Sequence, residues 1–216
     1  MLKTRHLMFI FIPATLLAAV FLFVRVVQYQ PLFPKEDKTE NPESKTLSVP
    51  IFPDDPILGN KKAGTGIVAF EDFGCEACKE QTAIFEELVN KYPGAIRIIW
   101  KGLPVTQFPY PTELAESYGY CANKQGMFDI FKTYAFSNSG NLSQTSLDII
   151  SEEIKLNKEK LTECLESPAT ANHITQTKQI ARILNIQAVP AIFVNGKQID
   201  PPKSLEGWET LLGLSQ

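Results

Sequence analysis

Cys75-Glu76-Ala77-Cys78 places two thiols three residues apart, between an apolar run, Ile67 to Phe70, and a stretch of helical periodicity, Glu76 to Tyr92. On the first turn of a helix such side chains share a face, with Cβ atoms about 5–6 Å apart. That suits a disulfide, whose Cα atoms lie roughly 4.4–6.8 Å apart. The first sulfur would sit over unpaired backbone N–H groups at the positive end of the helix, a setting worth about 0.3–1 kcal/mol to an anion and up to ~2 when partly buried. Its pKa is lowered accordingly. The spacing therefore predicts a reactive dithiol able to trade disulfides with other proteins.

The other uses of such a pair need residues this chain does not supply in the right places. A zinc ribbon or finger requires a second close pair of Cys or His, whereas Cys121 and Cys164 stand alone and the histidines are His6 and His173. No metal site is expected. A Cys–His hydrolase would have to use His173 as base, and nothing marks its partner. His173, beside Asn172 in a polar stretch, reads as a solvated surface residue.

The elements that hold the pair follow from periodicity. Ile67–Phe70 reads as a buried strand. Ala77, Ile84, Leu88 and Tyr92 share one helical face, and Pro93-Gly94 ends that helix. Residues 95–100, β-branched and aromatic, form a second strand. Strand, helix, strand at this length is a βαβ unit with parallel pairing. Residues 112–185 are mostly helical, broken at Gly126, the Ser137–Asn141 cluster and Pro168. Ala191–Val194 is a third strand, Asn195-Gly196 a hairpin turn, Lys197–Asp200 the return strand, and Ser204 caps a last helix. The fold class is α/β.

Ahead of this, Leu7–Val24 is an uncharged, mostly apolar run of 18 residues, at the threshold for a membrane helix. Lys3 and Arg5 place its start in the cytoplasm and the bulk of the chain outside. A cleaved signal peptide is the alternative, although no small-x-small site follows the run. Residues 1–27 are thus expected to be an anchor. Residues 28–56, with Pro31, Pro34, Pro42, Pro50, Pro53 and Pro56, are expected to be an extended tether. Residues 57–216 suffice for one domain. The net charge of −3 and the lack of a basic run argue against nucleic acid as a partner.

Several of these stretches together resemble the thioredoxin superfamily, in its DsbA-like branch of thiol-disulfide oxidoreductases. They are Asp55–Asn60; Ile67 through Asp72-Phe73-Gly74-Cys75-Glu-Ala-Cys78; Cys121-Ala122-x-x-Gln125-Gly126-Met127-Phe128; Leu161-x-x-Cys164-Leu165-x-Ser167; and Ala188-Val189-Pro190 to Gly196. The resemblance implies a thioredoxin-like fold with a helical subdomain inserted at about 111–185. It makes Cys75 the exposed attacking sulfur, Cys78 the buried resolving one, and Pro190 a cis proline facing them. Val189 and Phe73 become candidate substrate contacts. It implies no cofactor beyond the redox-active disulfide itself. The expected activity is disulfide introduction into exported cysteine-containing proteins, with electrons passing to a quinone-linked, DsbB-like partner in the membrane. A reductase or isomerase and a non-catalytic binding or chaperone module are the alternatives.

Two departures bear on tuning. The branch often has a buried acid six residues before the first cysteine, where this chain has Ala69; strand alternation puts Glu71 on the same face as a substitute. The dipeptide between the cysteines is Glu76-Ala77, and Glu76 favours the helix dipole but repels a neighbouring thiolate. Cys75 is therefore expected to be less acidic than in the strongest oxidases of the branch. With Cys75 and Cys78 assigned to each other, Cys121 and Cys164 are candidates for a structural bridge; four cysteines allow three connectivities, and buried free thiols remain the alternative.

Overall fold

The computed structural model describes residues 16–25 and 48–214. Residues 16–25 are helical (α1) with exposed side chains. The expected span Leu7–Val24 lies partly outside the described residues, as does residues 28–47 of the expected tether. Among the described residues no helix is long and apolar enough to cross a membrane.

The domain is a five-stranded mixed sheet in the order β1-β3-β2-β4-β5, formed by β1 (Ile57–Gly59), β2 (Thr65–Glu71), β3 (Ile96–Gly102), β4 (Ala191–Val194) and β5 (Lys197–Ile199). β2 and β3 run parallel, joined by α2 (Glu76–Lys91), as a βαβ unit requires. The remaining pairs are antiparallel. Asn195 and Gly196 both take positive φ, 51° and 75°, and close the β4–β5 hairpin.

Alternation along β2 divides the core. Ile67 and Ala69 face one cluster with Phe85 and Leu88 of α2, while Val68 and Phe70 face the other with Ile180 and Ala181. Between β3 and β4 five helices are inserted: α3 (Glu113–Lys124), α4 (Phe128–Ser137), α5 (Gln144–Glu153), α6 (Lys158–Glu166) and α7 (Pro168–Ile183). Helices α6 and α7 share Ser167, whose hydroxyl accepts from Ala169 N–H at 3.2 Å while Pro168 takes the first helical position. The subdomain is welded to the sheet by aromatic rings. Phe73 stacks on Trp100 at 5.1 Å, meets Phe131 and Phe136 edge-on, and Trp100 leans on Phe128. Helix α8 (Leu205–Leu212), capped by Ser204 as expected, brings Trp208 onto Phe85 of α2 at 5.2 Å.

The last residues of the expected tether belong to the domain. Val49 and Asp55 are buried. Asp55 Oδ2 accepts from the buried Lys101 ammonium at 2.5 Å and from Phe52 N–H at 2.6 Å, and the ammonium lies 4.2 Å from the Phe52 ring centre. Proline content does not reveal this end of the domain, where Val49 and Phe52 pack on the sheet and Asp55 pairs with a sheet lysine.

Candidate active site

Cys75 is the N-cap of α2, with extended backbone (φ −96°, ψ 115°). Its Sγ accepts from Cys78 N–H at 3.1 Å, a first-turn donor that it shares with the Cys75 carbonyl oxygen. Cys75 is partly exposed and Cys78 fully buried. The two are disulfide-bonded, with Cα atoms 5.2 Å apart. Across from them the Val189 carbonyl oxygen lies 3.6 Å from Cys75 Sγ, at the entry to β4. The Val189–Pro190 peptide is cis, and both residues are partly exposed.

The loop before the cysteines is held by Asp72, which sequence reasoning passed over in favour of Glu71. One carboxylate oxygen accepts from Gly74 N–H at 2.8 Å. The other accepts from Val105 and Thr106 N–H at 2.7 and 2.6 Å, tying the β3–α3 loop against the dithiol. Thr106 packs so closely on Gly74 that a Cβ there would come within 2.7 Å of it. An Asp two residues before a glycine signals such a turn, but its second set of donors is tertiary.

Phe73 requires a correction. It was expected to touch substrate and instead has no exposed surface, sitting at the centre of the aromatic cluster. The chain turns inward between Asp72 and Gly74, so proximity to Cys75 in sequence does not carry Phe73 to the surface. His173 is likewise not a solvated surface group: it stacks on Tyr120 at 4.7 Å with Nε2 3.8 Å from Asp55, and burial lowers its pKa.

Two acids are buried in the core beside β2 and β3. Glu71 is 1 % exposed, and Thr82 Oγ1 donates to its Oε2 at 3.2 Å. Burial pushes its pKa up to about 8, against the opposing pull of the Lys132 charge and the Thr82 hydrogen bond. Thr82 is four residues beyond Cys78 on the same face of α2, so Glu71 docks one helical turn below Cys78. Glu116 of α3 accepts from Trp100 Nε1 at 3.4 Å; burial, and then the Asp72 charge, hold its pKa well above the usual range. Glu116 carried no sequence signal, being one of two acids, with Glu113, in the first turn of an amphipathic helix. Glu76 is exposed, its carboxylate 3.8 Å from the Lys79 ammonium, so solvent and that cation both screen it from Cys75.

Cys121 of α3 and Cys164 of α6 are disulfide-bonded, with Cα atoms 5.8 Å apart and the Thr170 hydroxyl beside both sulfurs. Among the described residues no group of three or more His, Cys, Asp or Glu side chains is placed to hold a metal ion.

Comparison with known proteins agrees with this fold. A model of the Thioredoxin family matches residues 52–213. The thiol-disulfide exchange protein α-DsbA2 of Wolbachia pipientis superposes with a TM-score of 0.66 at 19% identity, over 74% of this chain and 87% of that one. Disulfide bond formation protein D of Bacillus subtilis is 24% identical over 172 residues, covering 76% of this chain and 78% of that protein. The Na(+)/H(+) antiporter NhaA 3 of Salinispora tropica is 27% identical over 161 residues, which is 74% of this chain and 24% of the antiporter. The chain thus spans about a quarter of the length of the first curated relatives it matches.

Proposed function

Since this chain belongs to the Thioredoxin family and has a DsbA-like fold, we propose that it is a protein thiol-disulfide oxidoreductase that introduces disulfides into exported proteins. The observation that carries this reading is the position of Cys75: partly exposed, over a helix N–H donor, and facing the Val189 carbonyl, with its disulfide partner buried. A substrate thiolate attacks Cys75 Sγ; the Cys75–Cys78 bond breaks, Cys78 leaves as thiolate and takes a proton, and a mixed disulfide forms. A second substrate thiolate then attacks the substrate sulfur of that bond. The substrate is left oxidised by two electrons and Cys75 departs as a thiolate stabilised by Cys78 N–H and the helix end. Glu71, holding a proton near neutral pH one turn below Cys78, is the acid for the first step and the base for its reverse. Val189 offers its main chain to an extended substrate segment beside Pro190, which has no N–H to interfere.

The reading includes an extracytoplasmic domain held at a membrane by residues 1–27. The Lys3 and Arg5 charges before an apolar run and the second disulfide support it. Its substrates are then exported cysteine-containing proteins, and its oxidant a membrane quinone-linked thiol oxidase of the DsbB-like kind. The test is trapping: the Cys75 thiolate of Cys78→Ala is expected to attack a disulfide-bonded cysteine peptide, release one peptide thiolate and accumulate the mixed disulfide, and Cys75→Ser is expected to accumulate none. Equal yields from the two variants would remove the assignment.

A further inference from the structure

Below Cys78, helix α2 carries a stripe of three residues four apart: Cys78, Thr82 and Glu86. Each of the last two meets a titratable side chain from elsewhere in the fold. Thr82 donates to Glu71. The Glu86 carboxylate lies 3.0 Å from the ammonium of Lys132, a residue of the inserted helix α4 that is itself 1 % exposed. Lys132, Glu86 and Asp129 line a groove of about 390 Å³ between α2, α4 and β1, open to solvent at the half-exposed Glu86.

A lysine this deeply buried is costly to charge without compensation. Glu86 supplies one carboxylate. The second lies inward, where the Lys132 charge is the largest influence opposing the burial of Glu71. Glu71 Oε1 has no hydrogen-bond partner among the described residues. Glu116 on α3 is electrostatically coupled to Glu71 and to Asp72, and Glu86 and Asp129 lie around Lys132. All are acids, so Lys132 is the cation that offsets them.

We propose that Lys132 is a positioning residue for disulfide exchange: from the inserted subdomain it governs whether Glu71 holds or releases the proton that Cys78 needs, with Glu86 as its counterweight and the groove as the outlet to solvent. This rests on the exchange chemistry proposed above. The proton leaves Glu71 for the Cys78 thiolate when the disulfide is opened and returns when Cys78 re-forms it; no other co-reactant is required.

The two partners of the Lys132–Glu86 pair predict opposite effects. In Lys132→Met, Glu71 loses its cation and its ionisation constant falls by about tenfold or more. In Glu86→Gln, a nearby anion is removed and the Lys132 charge is freed, so the constant rises. Carboxyl carbon resonances of the oxidised protein, assigned with Glu71→Gln and Glu116→Gln, report this directly without any exchange activity. The pH profile of Cys78 attack on a preformed Cys75 mixed disulfide should move in the same two directions, while Cys75 thiolate titration in Cys78→Ala stays in place. Loss of a merely structural ion pair would move both variants alike. Shifts of the same sign, or unmoved Glu71 resonances, overturn the inference. Opposite carboxyl shifts in a protein that exchanges no disulfides would uphold the Lys132–Glu71 coupling and overturn its role in exchange, together with the functional reading above. If Lys132→Met does not fold, Glu86→Gln decides alone by the sign of its shift.

Discussion

Two acids, Glu71 and Glu76, flank Cys75 in sequence, and their surroundings give them unequal weight. Glu71 is sealed in the core with a pKa of about 8. Between pH 4.5 and 8 the folded protein holds a proton there that the unfolded chain has lost. Unfolding therefore releases a proton, and stability falls as pH rises through that window, by about 1.4 kcal/mol per pH unit for one full proton. Glu71→Gln should flatten the curve by that amount, leaving a slope of the same sign from Glu116; denaturant titrations across the window check it. Glu76 is exposed and paired with Lys79. Glu76→Gln should therefore raise the acidity of Cys75 only slightly, less than threefold by the weak worth of a solvated charge, about 0.3–0.5 kcal/mol. Thiolate absorbance against pH measures the change.

At the scale of elements, the α3–α6 disulfide closes a loop with a sequence separation of 43. Chain entropy values such a closure at about 4 kcal/mol, with native strain subtracting. The double variant Cys121→Ala, Cys164→Ala should lower the melting temperature by several degrees yet leave the Cys75–Cys78 couple exchangeable. Thermal unfolding and alkylation of reduced protein read the two effects separately. Much of this scale was legible beforehand. Helix α2 announced itself by periodicity and by Pro93-Gly94, and the hairpin by Asn195-Gly196. Glu71 faces α2 because the period of a strand is two. Strand β1 was not legible, since three residues carry no period and its pairing is set by Ile98 and Ile99. Lys132 was equally silent: a lysine on an amphipathic helix reads as surface until Glu86 of another helix is seen to receive it. Phe73 failed for the converse reason, because adjacency in sequence says nothing about which way a turn points a ring.

For the whole molecule, the domain begins ahead of β1. Val49, Phe52 and Asp55 pack on the sheet, and Asp55 neutralises buried Lys101. A fragment starting at residue 46 should melt like the complete domain, whereas one starting at residue 57 should lose on the order of 3–5 kcal/mol, the cost of leaving a buried charge unpaired. Calorimetry of the two fragments distinguishes them. The same domain must also act as a redox couple for the proposed role to hold. The most direct measurement is the equilibrium potential of Cys75–Cys78 in the 46–216 fragment against glutathione buffers. A helix N–H on Cys75 with no strongly activating dipeptide predicts a potential between those of thioredoxin and DsbA, about −270 and −120 mV. A value at or below that of thioredoxin would contradict disulfide introduction and assign the dithiol to reduction. A disulfide that never equilibrates with glutathione would contradict exchange altogether.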